Sequence, residues 1–195
     1  MRRAAAFIVL LGLVAPVSAE DLASGAGEDL NPVVGTWLTE NATEITIAPC
    51  QQWLCGYLSK IVIPEDVYAQ HKDSIDAIGI ANLTDDKNPD PALKSRTLLG
   101  LPMITLKTKI SPVRYEGELY NPEDGQVYYG KVELSDWQTL LLRGCLGWLT
   151  FACANEDRVW TRVPEEEVTK AMESRDTLPD NVALWDGPPE TPQQP

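Results

Sequence analysis

The chain has few of the residues on which most catalytic and metal sites depend. It contains a single histidine, His71, and its four cysteines lack the paired short spacing of a zinc site. It contains no Gly-x-Ser-x-Gly motif and no glycine-rich phosphate loop. A nucleophile with a neighbouring base, which covalent catalysis needs, is not visible either. We therefore expect a protein that is not an enzyme and that carries no cofactor and no metal.

The chain also lacks a hydrophobic run long enough to cross a membrane. Its longest apolar run covers residues 4–14, whereas a spanning helix needs roughly 20 such residues. The run follows the basic start Met1-Arg2-Arg3 and precedes the small residues Val17-Ser18-Ala19. This pattern is typical of a secretory signal peptide. We predict a cleaved signal peptide over residues 1–19 and a periplasmic protein without a membrane span.

Positive charge is scarce as well. The chain has 16 Lys and Arg against 29 Asp and Glu, which gives a net charge of −13. Cleavage of residues 1–19 removes Arg2 and Arg3, so the net charge becomes −15. Such a charge disfavours nucleic acid and anionic membranes as partners. It is compatible with simple solubility and also with a basic protein partner.

The four cysteines predict disulfides, because an exported chain folds in an oxidising compartment. Four cysteines allow three pairings. Cys50 and Cys55 lie on either side of a predicted hairpin turn, and Cys145 and Cys153 lie on either side of a later turn. Opposed strand residues have Cβ atoms about 4.5–5.5 Å apart, which is close enough for a disulfide after a small adjustment. We favour the pairs Cys50–Cys55 and Cys145–Cys153.

Composition divides the chain into a central domain with unlike ends. Residues 20–31 are rich in Gly, Ala and acidic residues and predict a flexible leader. Residues 32–164 predict one β-barrel domain, and residues 165–177 predict a short helix. Residues 178–195 hold five of the 15 prolines and predict an extended, unpacked tail.

Within the central domain, apolar and polar residues alternate with a period of two. This period predicts strands with one dry face and one wet face. Short turns separate the strands, and the segment 121–125 (Asn-Pro-Glu-Asp-Gly) is a strong hairpin signal. Eight strands are predicted, over residues 35–40, 43–49, 54–63, 101–109, 113–120, 126–134, 138–145 and 157–163. Residues 64–80 have helical spacing instead and predict a short helix inserted between the third and fourth strands. The fold class is therefore an all-β, eight-stranded, mainly antiparallel barrel.

The first and last strands resemble the lipocalin pattern. Gly35-Thr36-Trp37 lies in the first strand and Trp160-Thr161-Arg162 in the last. In lipocalins the tryptophan lies across one end of the barrel and the arginine packs over its ring. The resemblance implies that Gly35, Trp37 and Arg162 form a structural clasp, to which a cation over an indole ring contributes about 0.5–2 kcal/mol.

A second resemblance covers most of residues 34–163. The chain is similar to the bacterial family called domain of unknown function 2147. The matching residues are Gly35, Trp37, Cys55-Gly56, Asn88-Pro89, Leu98-Leu99-Gly100, Gly117, Tyr120-Asn121-Pro122-Glu123-Asp124-Gly125, Tyr128, Leu142-Arg143-Gly144-Cys145 and Trp160-Thr161-Arg162. The resemblance implies an exported, lipocalin-like barrel and implies no activity.

One loop gathers oxygen-bearing side chains of the kind that bind Ca²⁺. They are Asp85, Asp86, Asn88 and Asp90. The spacing is not that of an EF-hand, since no glycine stands at the turn and no glutamate closes the loop. A cation site and an ordinary turn, with the carboxylates capping backbone N–H groups, both remain open.

The predicted barrel leads to two hypotheses for function. An eight-stranded barrel is just wide enough either to be filled by its own side chains or to hold one small ligand. We therefore predict a binding module for a small apolar molecule, with Tyr57, Tyr115, Tyr128 and Tyr129 as candidate lining residues. The alternative is an envelope protein–protein interaction or inhibitor module for a basic partner. Its contact residues would include the predicted loops at Trp53 and at Trp148-Leu149-Thr150-Phe151.

Overall fold

The computed structural model describes residues 31–145, 153–154 and 156–187. Some predictions lie outside this range. They are the signal peptide 1–19, the leader apart from Asn31, the loop Trp148-Leu149-Thr150-Phe151, and residues 188–195 of the tail. No helix of the described part is long and apolar enough to span a membrane.

Eight strands form a closed antiparallel ring, which confirms the predicted fold class. They are β1 (Gly35–Leu38), β2 (Glu44–Cys50), β3 (Trp53–Val62), β4 (Pro102–Ser111), β5 (Arg114–Asn121), β6 (Gln126–Asp136), β7 (Thr139–Cys145) and β8 (Arg158–Arg162). The strands are hydrogen-bonded in the order β2-β1-β8-β7-β6-β5-β4-β3, and β2 also pairs with β3. This last pairing closes the ring of eight strands.

Alternation along each strand decides which side chains fill the barrel. Val132 of β6 lies opposite Leu142 of β7, and Leu140 lies opposite Trp160 of β8. These side chains point inward, whereas the intervening residues, such as Lys131 on β6, point outward. The core is formed by inward residues that are almost completely buried, including Trp37, Ile45, Ile47, Ile104, Val132 and Leu140.

Both disulfides follow the favoured pairing. Cys50 bonds to Cys55 at the turn between β2 and β3, with their Cα atoms 5.7 Å apart. Cys145, the last residue of β7, bonds to Cys153. In the β2–β3 ladder Cys50 lies opposite Trp53 and Cys55 opposite Ala48, so the first disulfide is diagonal. The two disulfides therefore fasten strand ends on different parts of the ring.

Two helices follow strands at prolines. Helix α1 (Glu65–Ile78) begins after Pro64 and ends at Gly79, whose φ of 78° suits glycine. No residue of α1 is buried, and the helix is interrupted by non-helical backbone at His71. Helix α2 (Glu165–Glu173) begins after Pro164, with three glutamates in its first turn, where the helix dipole favours negative charge.

The tail prediction was wrong for residues 178–187. Residues Val182–Leu184 form a ninth strand, β9, which pairs antiparallel with Lys60–Val62 of β3. Strand β4 pairs with β3 only as far as Tyr57, so the later part of β3 has a free edge that β9 occupies. Ala183 is buried there, and the Trp185 ring packs on the Tyr57 ring with centroids 4.9 Å apart.

Candidate functional site

The two ends of the barrel differ, and the first is closed by the chain segment that precedes β1. Trp37 is fully buried across this end, and its indole Nε1 donates to the carbonyl of Val33 at 3.0 Å. The side chain of Asn31 donates to the Tyr115 hydroxyl at 2.6 Å. Tyr115 is itself an inward residue of β5 with 4% of its surface exposed. The segment 31–34 is therefore fastened to the interior by side-chain hydrogen bonds.

Arg162 completes this closure. Its guanidinium lies 4.2 Å from the Trp37 ring centroid and 4.8 Å from that of Trp137. Nε donates to the Trp137 carbonyl at 2.9 Å and Nη1 to the Val34 carbonyl at 3.0 Å, while Nη2 donates to the Pro32 carbonyl. Burial lowers the pKa of Arg162 from its ordinary value. The side chain therefore ties together β8, the β6–β7 turn and the segment before β1.

Gly35 is needed for this arrangement. Its φ is +138°, a conformation that L side chains rarely adopt, and a Cβ added there would lie 2.5 Å from Nη1 of Arg162. The three predicted clasp residues are thus brought together: Trp37 and Arg162 lie opposite each other in the β1–β8 ladder, with Gly35 beneath the guanidinium.

The other end of the barrel contains a cavity of about 690 Å³. Its wall is largely apolar and comes from seven strands, β2 to β8, together with the loop before β4. The apolar lining residues are Ile45, Leu58, Ile61, Leu98, Met103, Ile104, Leu119, Leu142 and Trp160. A volume of roughly 300–1,000 Å³ with a mostly apolar wall is typical of small-molecule sites. The barrel interior is therefore filled at one end and empty at the other.

The inward row of β7 shows how this space arises. Leu140 and Leu142 fill the middle of the barrel, but the next inward position is Gly144, which lines the cavity. A Cβ added at Gly144 would meet no closer atom than Cβ of Tyr128, at 3.8 Å, which is ordinary van der Waals contact. A Cβ atom at position 144 is therefore tolerated, and a side chain built on it would point toward the cavity that Gly144 lines.

The mouth of the cavity carries the charges. Glu40 after β1, Glu123 in the β5–β6 turn, Glu156 and Arg158 all line it. Arg158 Nη1 donates to Glu40 Oε2 at 2.7 Å, and the backbone N–H of Val159 donates to Glu40 Oε1 at 3.2 Å. The hydrogen bond from Arg158, more than any other cause, holds the pKa of Glu40 below its ordinary value. The only arginine among the described lining residues is thus already bound to one of the carboxylates.

A hydroxyl group also lies near this mouth. Tyr128 lines the cavity, and its hydroxyl donates to Asp124 Oδ2 at 2.6 Å. This bond raises the pKa of Tyr128 and lowers that of Asp124. The polar end of Tyr128 is therefore directed to the turn, while its ring contributes to the wall.

The four tyrosines predicted to line a ligand site do not lie together. Tyr128 lines the cavity, and Tyr115 faces the interior at the closed end. Tyr57 packs against Trp185 outside the ring, and the Tyr129 hydroxyl donates to Glu116 on the outer surface. This hydrogen bond raises the pKa of Tyr129 to about 12. The structure thus places Tyr57 and Tyr129 on the outer face and not in the ligand site. Tyr57 lies between the inward positions 56 and 58, and Tyr129 follows the inward residue Tyr128.

The side chains of the predicted cation loop have protein partners in the structure. Asp85 is fully buried, and Arg96 Nη2 lies 2.8 Å from its Oδ2. Tyr120 donates to Oδ1 at 2.6 Å and Asn88 donates to Oδ2 at 2.9 Å. Burial raises the pKa of Asp85, but these bonds outweigh burial and leave the pKa lowered. The guanidinium of Arg96 thus supplies the positive charge that a cation would have supplied.

The other members of that loop have protein partners too. Asp86 lies 3.4 Å from Lys87, and Asp90 Oδ1 accepts the backbone N–H of Ala92 at 2.9 Å. Asn88 Oδ1 accepts the backbone N–H of Asp90. Across the described ranges no group of three His, Cys, Asp or Glu residues could hold a metal ion.

Sequence reasoning missed the residues that form the mouth. Glu40, Glu156 and Arg158 were not singled out, although Trp160 was noted as part of the clasp motif. Extending the inward alternation of β7 and β8 would have placed Gly144 and Trp160 on the interior face. No sequence signal pairs Glu40 with Arg158, because the two residues are 118 positions apart.

Comparisons with known proteins agree with this geometry. Residues 35–162 match the model of a family described as "uncharacterized protein conserved in bacteria (DUF2147)". This match extends from the first residue of β1 to the last residue of β8, so every described residue that lines the cavity falls within it. Helix α2 and β9 lie beyond it.

A solved structure has a similar fold. It is described as "Protein HP1028 from the human pathogen Helicobacter pylori belongs to the lipocalin family". The two chains are 19% identical, and the similarity covers 71% of this chain and 88% of that one, with a TM-score of 0.54. At this identity the likeness shows the fold alone, a lipocalin-like barrel. No curated protein matches the chain.

Proposed function

The chain belongs to the family of bacterial proteins described as uncharacterized (DUF2147), and from its open lipocalin-like barrel we propose that it is a non-catalytic binding module for a small apolar molecule. The observation that carries this proposal is the cavity of about 690 Å³ with its apolar wall. A ligand that fills such a cavity removes its own apolar surface from water, at about 25 cal/mol for each Å².

Several features support binding without catalysis. The described residues of the deep cavity wall are apolar, and the lining carboxylates Glu40, Glu123 and Glu156 stand at the mouth, where Glu40 is paired with Arg158. The isolated His71 lies on exposed helix α1. The two disulfides support an oxidising compartment, and we propose that the protein acts in the periplasm after export.

The proposal predicts that filling the cavity abolishes binding without unfolding the protein. We expect Gly144→Leu to weaken binding of the neutral fluorescent probe N-phenyl-1-naphthylamine by roughly tenfold or more, because the leucine side chain occupies the space of the ligand. Probe fluorescence measures the Kd, and thermal unfolding with both disulfides intact checks the fold.

A matched control places a leucine on the outside of the same barrel. Thr161 is exposed and points outward from β8, so Thr161→Leu should leave the Kd of the probe unchanged. Native mass spectrometry of the purified protein provides a second readout, in which we expect a retained small molecule. Equal probe binding by the wild type and Gly144→Leu would show that the probe does not occupy the barrel and would remove the basis of the proposal.

The second candidate function is an envelope interaction or inhibitor module for a basic protein. The net charge of −13 favours it. Among its expected contact residues, Trp53 is half-buried with Lys107 Nζ 5.5 Å from its ring centroid, and Trp148 lies outside the described residues. Capture of a basic protein that weakens steeply with added salt would support this function. The cavity is the more specific feature, and we therefore place this function second.

A further inference from the structure

Resting on the proposed function, we infer that the ligand is a cationic amphiphile: an apolar chain inside the barrel and a protonated amine at the mouth, beside Glu123 and Glu156. The inference depends on how polar and apolar groups are distributed along the cavity and on which of its charges already have partners.

Polarity changes sharply between the depth of the cavity and its mouth. The side chains of the deep wall, such as Ile45, Leu58 and Leu142, are apolar and largely buried. The charged lining residues Glu40, Glu123, Glu156 and Arg158 stand instead at strand ends and turns, and three of them come from segments far apart in the chain. A molecule bound here would therefore place its apolar part inside and its polar group among these four side chains.

The charges at the mouth do not cancel. Arg158 and Glu40 form an ion pair at 2.7 Å and neutralise each other. Glu123 and Glu156 are exposed, and neither takes part in an ion pair with any residue in the described part of the chain. Asp124, which follows Glu123, accepts a hydrogen bond from Tyr128 and adds negative potential at the same turn. Among the residues that the structure describes, the mouth thus presents two carboxylates without a cationic partner.

These carboxylates favour one class of polar head group. An ammonium head group at the mouth is attracted by the negative charges of Glu123 and Glu156, whereas a carboxylate head is repelled and a hydroxyl head is little affected. An anionic head at Arg158 would have to share the guanidinium with Glu40, which already receives hydrogen bonds from Arg158 and from the backbone of Val159. The expected order of affinity is therefore amine, then alcohol, then carboxylate.

A series of three probes with the same chain separates the head group from the cavity. Dodecylamine, 1-dodecanol and dodecanoate are each used below their aggregation concentrations to displace N-phenyl-1-naphthylamine from the wild-type protein at pH 7.5 and low salt. We expect dodecylamine to bind about tenfold more tightly than dodecanol, and dodecanoate to bind most weakly. Salt at about 0.5 M should reduce the preference for the amine and leave dodecanol unaffected.

Two double variants test whether the preference for dodecylamine over dodecanol arises from the carboxylates at the mouth. The double variant Glu123→Gln with Glu156→Gln should bind dodecylamine no better than dodecanol, with the Kd of dodecanol unchanged. The matched control, Glu165→Gln with Glu166→Gln, removes the same charge from the exposed first turn of α2 and should keep the preference. Loss of the preference in this control as well would mean that overall charge attracts the amine, and the inference would fail.

The probes distinguish failure of this inference from failure of the proposed function. Displacement by all three compounds with similar Kd values would retain the binding function and overturn the head-group assignment. Tightest binding by dodecanoate would overturn it too and would transfer the head-group role to Arg158. If no compound displaced the probe, and Gly144→Leu bound the probe as the wild type does, the proposed function would fail and this inference with it.

Discussion

The two ends of this barrel are built from the same eight strands, but one end is packed with side chains and the other contains a cavity. At the closed end, Trp37 fills the interior and Arg162 donates hydrogen bonds to three backbone carbonyls. At the open end, the inward position of β7 is Gly144, and a cavity takes the place of side chains. The difference shows that an eight-stranded barrel can be tightly packed at one end and keep a cavity at the other.

The charged residues of the two ends differ in the same way. Arg162 is partly buried, and its partners are carbonyl groups and two indole rings. Arg158, only four residues earlier, is largely exposed and has a carboxylate partner. Removal of a partly buried arginine that donates several hydrogen bonds should lower the stability of a fold more than removal of an exposed ion pair does. Substitutions at the closed end should therefore change stability, and those at the mouth should change binding.

The largest expected effect comes from removing the closed-end arginine. Arg162→Ala removes three hydrogen bonds and the contacts with Trp37 and Trp137. We expect the free energy of unfolding to fall by about 3 kcal/mol, measured by denaturant titration. The folded fraction should still bind N-phenyl-1-naphthylamine, because the cavity lies at the other end.

Two further variants show whether the loss of stability in Arg162→Ala depends on the shape of the guanidinium and on its position. Arg162→Lys keeps the charge but not the planar set of donors, so its loss should be smaller than that of alanine. Arg114→Ala removes an exposed arginine from the outer face of β5 and should leave stability nearly unchanged. Normal stability of Arg162→Ala together with lost probe binding would contradict the division of roles between the ends.

The second-largest loss of stability is expected from a substitution of Asp85, a buried carboxylate beside the open end. Asp85→Asn removes the charge that Arg96 neutralises, and should lower the free energy of unfolding by about 2 kcal/mol at pH 7. The pKa of Asp85 is lowered in the folded protein. Its contribution is therefore present above the unfolded pKa of about 4 and is lost as the pH falls through the folded pKa.

Denaturant titrations from pH 7 down to pH 3 provide the measurement. The difference between the wild type and Asp85→Asn should be constant from pH 7 to about pH 5 and should shrink below about pH 4. Asp86→Asn is the matched control, because the Asp86 carboxylate is exposed and its ion pair with Lys87, at 3.4 Å, is exposed too. A difference that grew as the pH fell would show that the sign of the linkage is wrong.

The barrel itself could be predicted because its signals are local. The period of two, the turn at residues 121–125 and the spacing of the cysteines each involve neighbours in the chain, and the structure has the eight strands and both disulfides. Strand β9 could not be predicted in this way. Its three residues pair with a part of β3 that is free only because β4 separates from it after Tyr57.

The site was harder to predict than the barrel for a related reason. Tyr128 and Tyr129 are adjacent, so only one of them can face the interior, and the choice depends on register. Whether the interior is empty depends on the summed volume of inward side chains from all strands, which no single segment reveals. Asp85 likewise resembled a cation ligand because its partners, Arg96 and Tyr120, are 11 and 35 positions away.

The smallest effect on stability, and the sharpest test of the mouth, should come from Arg158→Ala. This ion pair is exposed, with 74% of the Arg158 side chain accessible, so the denaturation midpoint should not change measurably. Glu40 would lose its cationic partner, keep the hydrogen bond from the backbone of Val159, and become a third carboxylate at the cavity without a compensating positive charge. Dodecylamine should then bind roughly threefold more tightly than to the wild type, while dodecanol binds as before. Weaker binding of dodecylamine would mean that Arg158 contacts the ligand directly, and the charge at the mouth would have to be assigned differently.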